Sequence, residues 1–144
     1  NNPKALNNIG SIFYIIGDIK EAYKYYQLAK KHLKANYNLR LESIIYANLA
    51  ECECDFGLYR ESKKNLDLSL NITLSLNNKE GSAYIHNGYG IIEMRKKNYK
   101  KAIEYYKKGE KFYKDEKMIA YYLDLLRNHA TALYKLKEYD KQSN

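Results

Sequence analysis

The sequence predicts an all-α protein, an α-solenoid of antiparallel helix pairs. Three observations lead there. Helix breakers are scarce, with only Pro3 and seven glycines in 144 residues, so helices can run long. Apolar residues recur at three- and four-residue steps, as in Ala22, Tyr25, Tyr26, Ala29 and Leu33, which is the spacing of one helix face. Small residues recur every 40 positions without a slip, at Gly10, Ala50, Gly90 and Ala130, the mark of a repeat array. No stretch shows the two-residue alternation of a strand.

Further columns share the register. Nine residues after the first small residue stand Ile19, Tyr59, Tyr99 and Tyr139; twelve after it stand Ala22, Ser62 and Ala102, with Gln142 in the fourth copy. Sixteen after it come Tyr26, Leu66 and Tyr106, and nineteen after it Ala29, Ser69 and Gly109. The small columns let two antiparallel helices approach closely. The large residues open the second helix and fill the space between neighbouring pairs.

Taken in order, helices are expected at about 4–16, 19–35, 39–56, 59–75, 79–96, 99–114 and 117–136, with an eighth beginning near 139. Turns within pairs are expected at Gly17-Asp18, Gly57 and Asn98. Turns between pairs are expected at Asn36-Tyr37-Asn38, Asn77-Asn78 and Lys114-Asp115. The expected organisation is one domain, 1–144, with repeats at about 3–38, 39–78 and 79–116 and a partial one at 117–144. Because the periodic pattern stops mid-repeat, a piece of a larger protein is expected.

The pattern resembles the tetratricopeptide repeat family. Residues 7–29, NNIGSIFYIIGDIKEAYKYYQLA, match it well, and residues 87–109, NGYGIIEMRKKNYKKAIEYYKKG, repeat the match. The second repeat departs from it: Glu53 stands where an aromatic is common, and Ser62 replaces a small alanine. The 40-residue period exceeds the family's basic unit of about 34, which should lengthen both helices and the turn joining pairs. Forty-residue versions are similar to those of Gram-positive peptide-pheromone receptors and of repeat modules attached to signalling regulators. The resemblance implies a right-handed superhelix, a concave groove lined by the first helix of each pair, and a protein-binding scaffold.

Carried over by register, the groove residues are Asn7, Ser11, Tyr14 and Ile15; Ala47, Asn48, Glu51, Cys54 and Asp55; Asn87, Ile91, Met94 and Arg95; and Arg127, Asn128, Thr131, Tyr134 and Lys135. Asn8, Asn48 and Asn128 share one column, with Asn87 one residue short of it. An asparagine amide offers both donor and acceptor, so such a ladder either holds an extended peptide backbone or ties neighbouring helices together. Glu51 and Asp55 against Arg95, Arg127 and Lys135 imply a groove acidic in one part and basic in another, or internal ion pairs. Asn7 and Ala47 stand where the family's carboxylate clamp would need lysine, which disfavours a chaperone-tail ligand.

Other classes find little support. Cys52 and Cys54 are two apart on one helix and cannot easily bridge, and no histidine pair accompanies them, so neither a disulfide framework nor a metal site is expected. His32, His86 and His129 lie far apart, and no phosphate-binding loop is present. A non-enzyme without cofactor is therefore expected. Reducing surroundings and the absence of any 18-residue apolar run point to a cytoplasmic protein with no membrane partner.

The formal net charge is +8 but uneven: Arg95 to Lys117 carries +6 and Leu41 to Ser82 carries −3. Direct nucleic-acid binding by the 95–117 stretch is the alternative the sequence argues against, because its aromatics fall in the packing columns. Leu126, Leu133, Leu136 and Tyr139 offer a surface for pairing with a second copy. The expected partner is a protein or short peptide.

Overall fold

The computed structural model describes residues 2–35 and 38–143, the last for its backbone only. The described residues form two compact units, Asn1–Asn77 and Asn78–Asn144. The first holds α1 (Pro3–Ile15), α2 (Ile19–Lys31), α3 (Leu39–Asp55) and α4 (Tyr59–Ser75); the second holds α5 (Lys79–Arg95), α6 (Tyr99–Asp115) and α7 (Ile119–Ser143). Consecutive helices pack as α1 on α2, α2 on α3 and α3 on α4 in the first unit, and as α5 on α6 and α6 on α7 in the second.

Three residues separate consecutive helices at every connection but that between α2 and α3, and these joints are built alike. Gly17, Gly57, Asn77, Lys97 and Lys117 all take left-handed backbone, with φ between 52° and 90°. Four of these joints close a Schellman turn: Asp18 N–H to Phe13 O, Leu58 N–H to Glu53 O, Asn98 N–H to Glu93 O and Met118 N–H to Tyr113 O, at 2.8–2.9 Å. The next residue then starts the following helix, so its spacing is 20 residues, half the sequence period. Asp18, Asn38 and Asn78 cap with a side-chain oxygen that accepts the N–H of Glu21, Leu41 and Gly81.

Three expectations need correction. The α6–α7 turn lies at Glu116–Met118, because Lys114 and Asp115 still belong to α6. Helix α2 ends at Lys31 rather than 35, although Leu33 still packs on the apolar cluster. No eighth helix begins near 139: α7 runs unbroken through Ser143. Its turn position would be Lys137, where left-handed backbone costs about 1–2 kcal/mol and no packed second helix offsets it. The Asn36-Tyr37 part of one expected turn lies outside the described residues.

The columns explain the packing. A Cβ on Gly10 would sit 2.7 Å from the Tyr26 ring and 3.2 Å from the Ala22 carbonyl, so only glycine lets α1 and α2 approach this closely. A Cβ on Gly90 would collide with Tyr106 in the same way. In the second repeat the pair is Ala50 and Leu66, a larger small residue facing a smaller large one. Ser62 and Ser69 occupy small columns yet stay satisfied, each hydroxyl donating across the pair at 2.7 Å to the Ala50 and Ser43 carbonyls. Ala22, Tyr26, Ala29, Ile45, Leu49 and Cys52 form the first unit's apolar cluster; Ala83, Ala102, Tyr106 and Leu125 anchor the second.

Candidate interaction face on the first helices

In the first unit, α1 and α3 bring several predicted groove residues together. The Asn48 amide donates to Asn7 Oδ1 at 2.9 Å. Ser11 donates to the Asn7 carbonyl at 3.1 Å and accepts from the Tyr26 hydroxyl at 3.2 Å. The Tyr14 hydroxyl donates to Asp55 Oδ2 at 2.9 Å. Burial first, then the Glu51 and Asp55 charges, raise the Tyr14 hydroxyl above its ordinary value, so it stays a donor. Burial and Asp55 push the Glu51 carboxyl up to about 7.

The second unit repeats one part of this. The Asn128 amide donates to Asn87 Oδ1 at 3.3 Å, across α5 and α7. The amide bridges therefore join residues 41 apart, one more than the repeat period, and tie the first helices of successive pairs. Asn8 is exposed and stands outside both bridges. Ile91 packs against the apolar cluster. Arg127 pairs with Asp124 at 2.7 Å on an exposed surface, Arg95 is exposed, and Tyr134 is 61% exposed. Asn7, Ala47 and Cys54 are buried, so none of them lines an open face.

Two buried carboxylates lie outside the expected groove residues. Glu53, 4% exposed, accepts from the Tyr23 hydroxyl at 2.8 Å and the Asn65 amide at 2.7 Å. Glu93, at the same register one repeat later, accepts from the Asn98 amide at 2.8 Å, with Lys96 at 3.7 Å. The only signal in the sequence was an acid where Phe13 and Leu133 stand in other copies. His129 meets Glu110 at 2.6 Å and fastens α7 to α6.

Little here suits catalysis. Burial, reinforced by Glu51, Asp55 and Glu53, pushes the Cys52 thiol up to about 12, far from a reactive thiolate. Burial lowers His86, whose Nδ1 lies 2.7 Å from the Ser82 carbonyl. Among the described residues no three His, Cys, Asp or Glu side chains gather as a metal site, and no helix is long and apolar enough to cross a membrane.

A family model described as "Tetratricopeptide repeat" matches residues 40–115. No curated protein matches as a relative. A solved structure, the crystal structure of BtubC (BKLC) from P. vanneervenii, superposes with a TM-score of 0.74 at 19% identity, covering 95% of this chain and 56% of that one. At that identity the likeness speaks to the fold, an all-helical repeat array. The chain spans just over half the length of that protein.

Proposed function

The chain belongs to the tetratricopeptide repeat family, and we propose that it is a non-catalytic scaffold that binds a protein or short peptide on the first helices of its pairs. The observation that supports this most is the recurrence of the asparagine bridge, Asn7–Asn48 in one unit and Asn87–Asn128 in the other. Asn48, Asn87 and Asn128 are partly exposed and each amide has donor or acceptor capacity beyond its bridge, so an extended backbone has something regular to bond, while buried Asn7 anchors Asn48. Beside the first bridge, Asp55, Glu51 and Tyr14 supply acidic and phenolic anchors. In the same reading the repeats serve as the interaction or ligand-sensing module of a cytoplasmic regulator, as forty-residue relatives of the family would suggest.

The test is a pull-down with this chain as bait, against an Asn48→Ala/Asp55→Ala bait of unchanged helicity. Loss of a captured partner with the variant is expected. A partner held equally by both baits would place the interaction elsewhere and defeat the proposal. A second reading, self-association, is favoured by the half-exposed Leu133 and Tyr139 on α7. Sedimentation of wild type and Leu133→Asp decides it: a concentration-dependent dimer abolished by the substitution is the expected signature, and a monomer at all concentrations ends it.

A further inference from the structure

We infer that the cavity between α2 and α4, floored by Glu53, binds a guanidinium group carried on a molecule with an anionic end. The site shares no residue with the asparagine bridges and does not depend on the function proposed above.

The starting point is an incomplete charge balance. Glu53 is 4% exposed, and buried acids are ordinarily paired with a cation. Here its two oxygens take one hydrogen bond each, both from neutral groups, Tyr23 and Asn65. A carboxylate has about four acceptor positions, so capacity remains on both oxygens. Among the described residues no ammonium or guanidinium lies within ion-pair distance of it. Glu93 shows the contrast at the same register, since Lys96 stands 3.7 Å from its carboxylate.

The surroundings leave room for a cation. A cavity of about 350 Å³ adjoins Glu53, with Tyr23, Gln27, Lys30, Lys31 and Asn65 among its walls. That volume suits a molecule of amino-acid size, at the small end of ligand pockets. Its walls are held in place: the Tyr23 ring packs edge-on against Phe56 at 5.5 Å. Burial and the Glu53 carboxylate keep the Tyr23 hydroxyl protonated, so it orients the floor as a donor. Lys30 is engaged over the Tyr46 ring at 5.8 Å. Lys31 and Gln27, both exposed at the mouth, can receive a carboxylate. The polarity therefore runs from an anionic floor to a cationic rim, complementary to a zwitterion with its cation inward. Arginine, free or as the C-terminal residue of a peptide, has that chemistry.

The experiment is calorimetric titration of the full chain with L-arginine, with L-citrulline, whose side chain is its neutral isostere, and with an N-acetylated tripeptide ending in arginine. Saturable L-arginine binding in the millimolar range or tighter is expected, with citrulline at least about tenfold weaker, a difference of about 1.4 kcal/mol. Binding of the tripeptide but not the free amino acid would support the same site with a polypeptide source. Glu53→Gln should abolish binding. Should that variant unfold, Gln27→Trp, at an exposed rim position, should block the cavity without touching the carboxylate. No saturable binding by either arginine probe, equal binding of citrulline, or binding unchanged in Gln27→Trp would each overturn the proposal.

Discussion

Replacing Gly90 by alanine would drive a methyl group into the Tyr106 ring. The added Cβ would lie 2.6 Å from Cδ1 and 3.0 Å from Cζ, against the 3.5–4.0 Å or so at which carbon atoms pack comfortably. Tyr106 is 1% exposed, so the ring has no open space to enter, and α5 and α6 must separate instead. Overpacking of this kind costs roughly 1–3 kcal/mol, and severe overlap belongs at the upper end. Alanine's better helix propensity returns about 1 kcal/mol. A net loss of about 2 kcal/mol is expected, read by urea unfolding followed by circular dichroism as a lower midpoint at unchanged slope. The second repeat already contains the remedy, Ala50 with Leu66. Gly90→Ala combined with Tyr106→Leu should therefore be less destabilised than the sum of the single changes, by about 1–2 kcal/mol of coupling. If Gly90→Ala were neutral or stabilising, or if the two costs simply added, this account of the small column would be wrong.

Lys97→Gly should stabilise by about 1 kcal/mol, seen as a higher melting temperature, because it relieves a side chain held at φ 64°. Ser62→Ala should cost about 1 kcal/mol in urea unfolding, since the hydroxyl bonds the Ala50 carbonyl at 2.7 Å while Ala22 and Ala102 fill the same column without one. Glu51 gives a pH dependence of definite sign. Its folded value, about 7, lies above its ordinary 4.5, so the folded state holds the proton more tightly. The stability this confers is complete below pH 4.5 or so and is lost as pH rises through 7. Glu51→Gln should match wild type at pH 4.5 and melt higher than wild type at pH 8, by something on the order of 1–3 kcal/mol; equal melting at both values would remove Glu51 from the balance.

The helices and their pairing were legible because spacing alone encodes them. Gly10, Ala22 and Tyr26 lie on faces fixed by a regular helix, and a repeat multiplies the signal. What was hidden depended on neighbours distant in sequence. Glu53 reads as an anomaly until Tyr23, 30 residues earlier, and Asn65, 12 residues later, close around it. The asparagine column was off by one because the bridges join residues 41 apart, not 40; alignment of a repeat with itself cannot show that stagger. Lys97 and Lys117 betray no turn by their chemistry, since nothing about lysine favours left-handed backbone. Their positions follow only from the joints at Gly17, Gly57 and Asn77. The unbroken α7 escaped for the opposite reason, because local pattern predicted a joint that no packed second helix supports.

The three-residue joint, shared by every connection but that between α2 and α3, also restricts how such a chain can change in length. One residue inserted within a helix rotates everything beyond it by about 100°. The small columns would then face solvent, and the following joint would point its helix away from the stack. An insertion at the joint itself would separate the residue that closes one Schellman turn from the residue after it that begins the next helix. Gains and losses of single residues should therefore be rare along the array, and whole forty-residue blocks, which restore both phase and direction, are the increments by which it can grow or shrink.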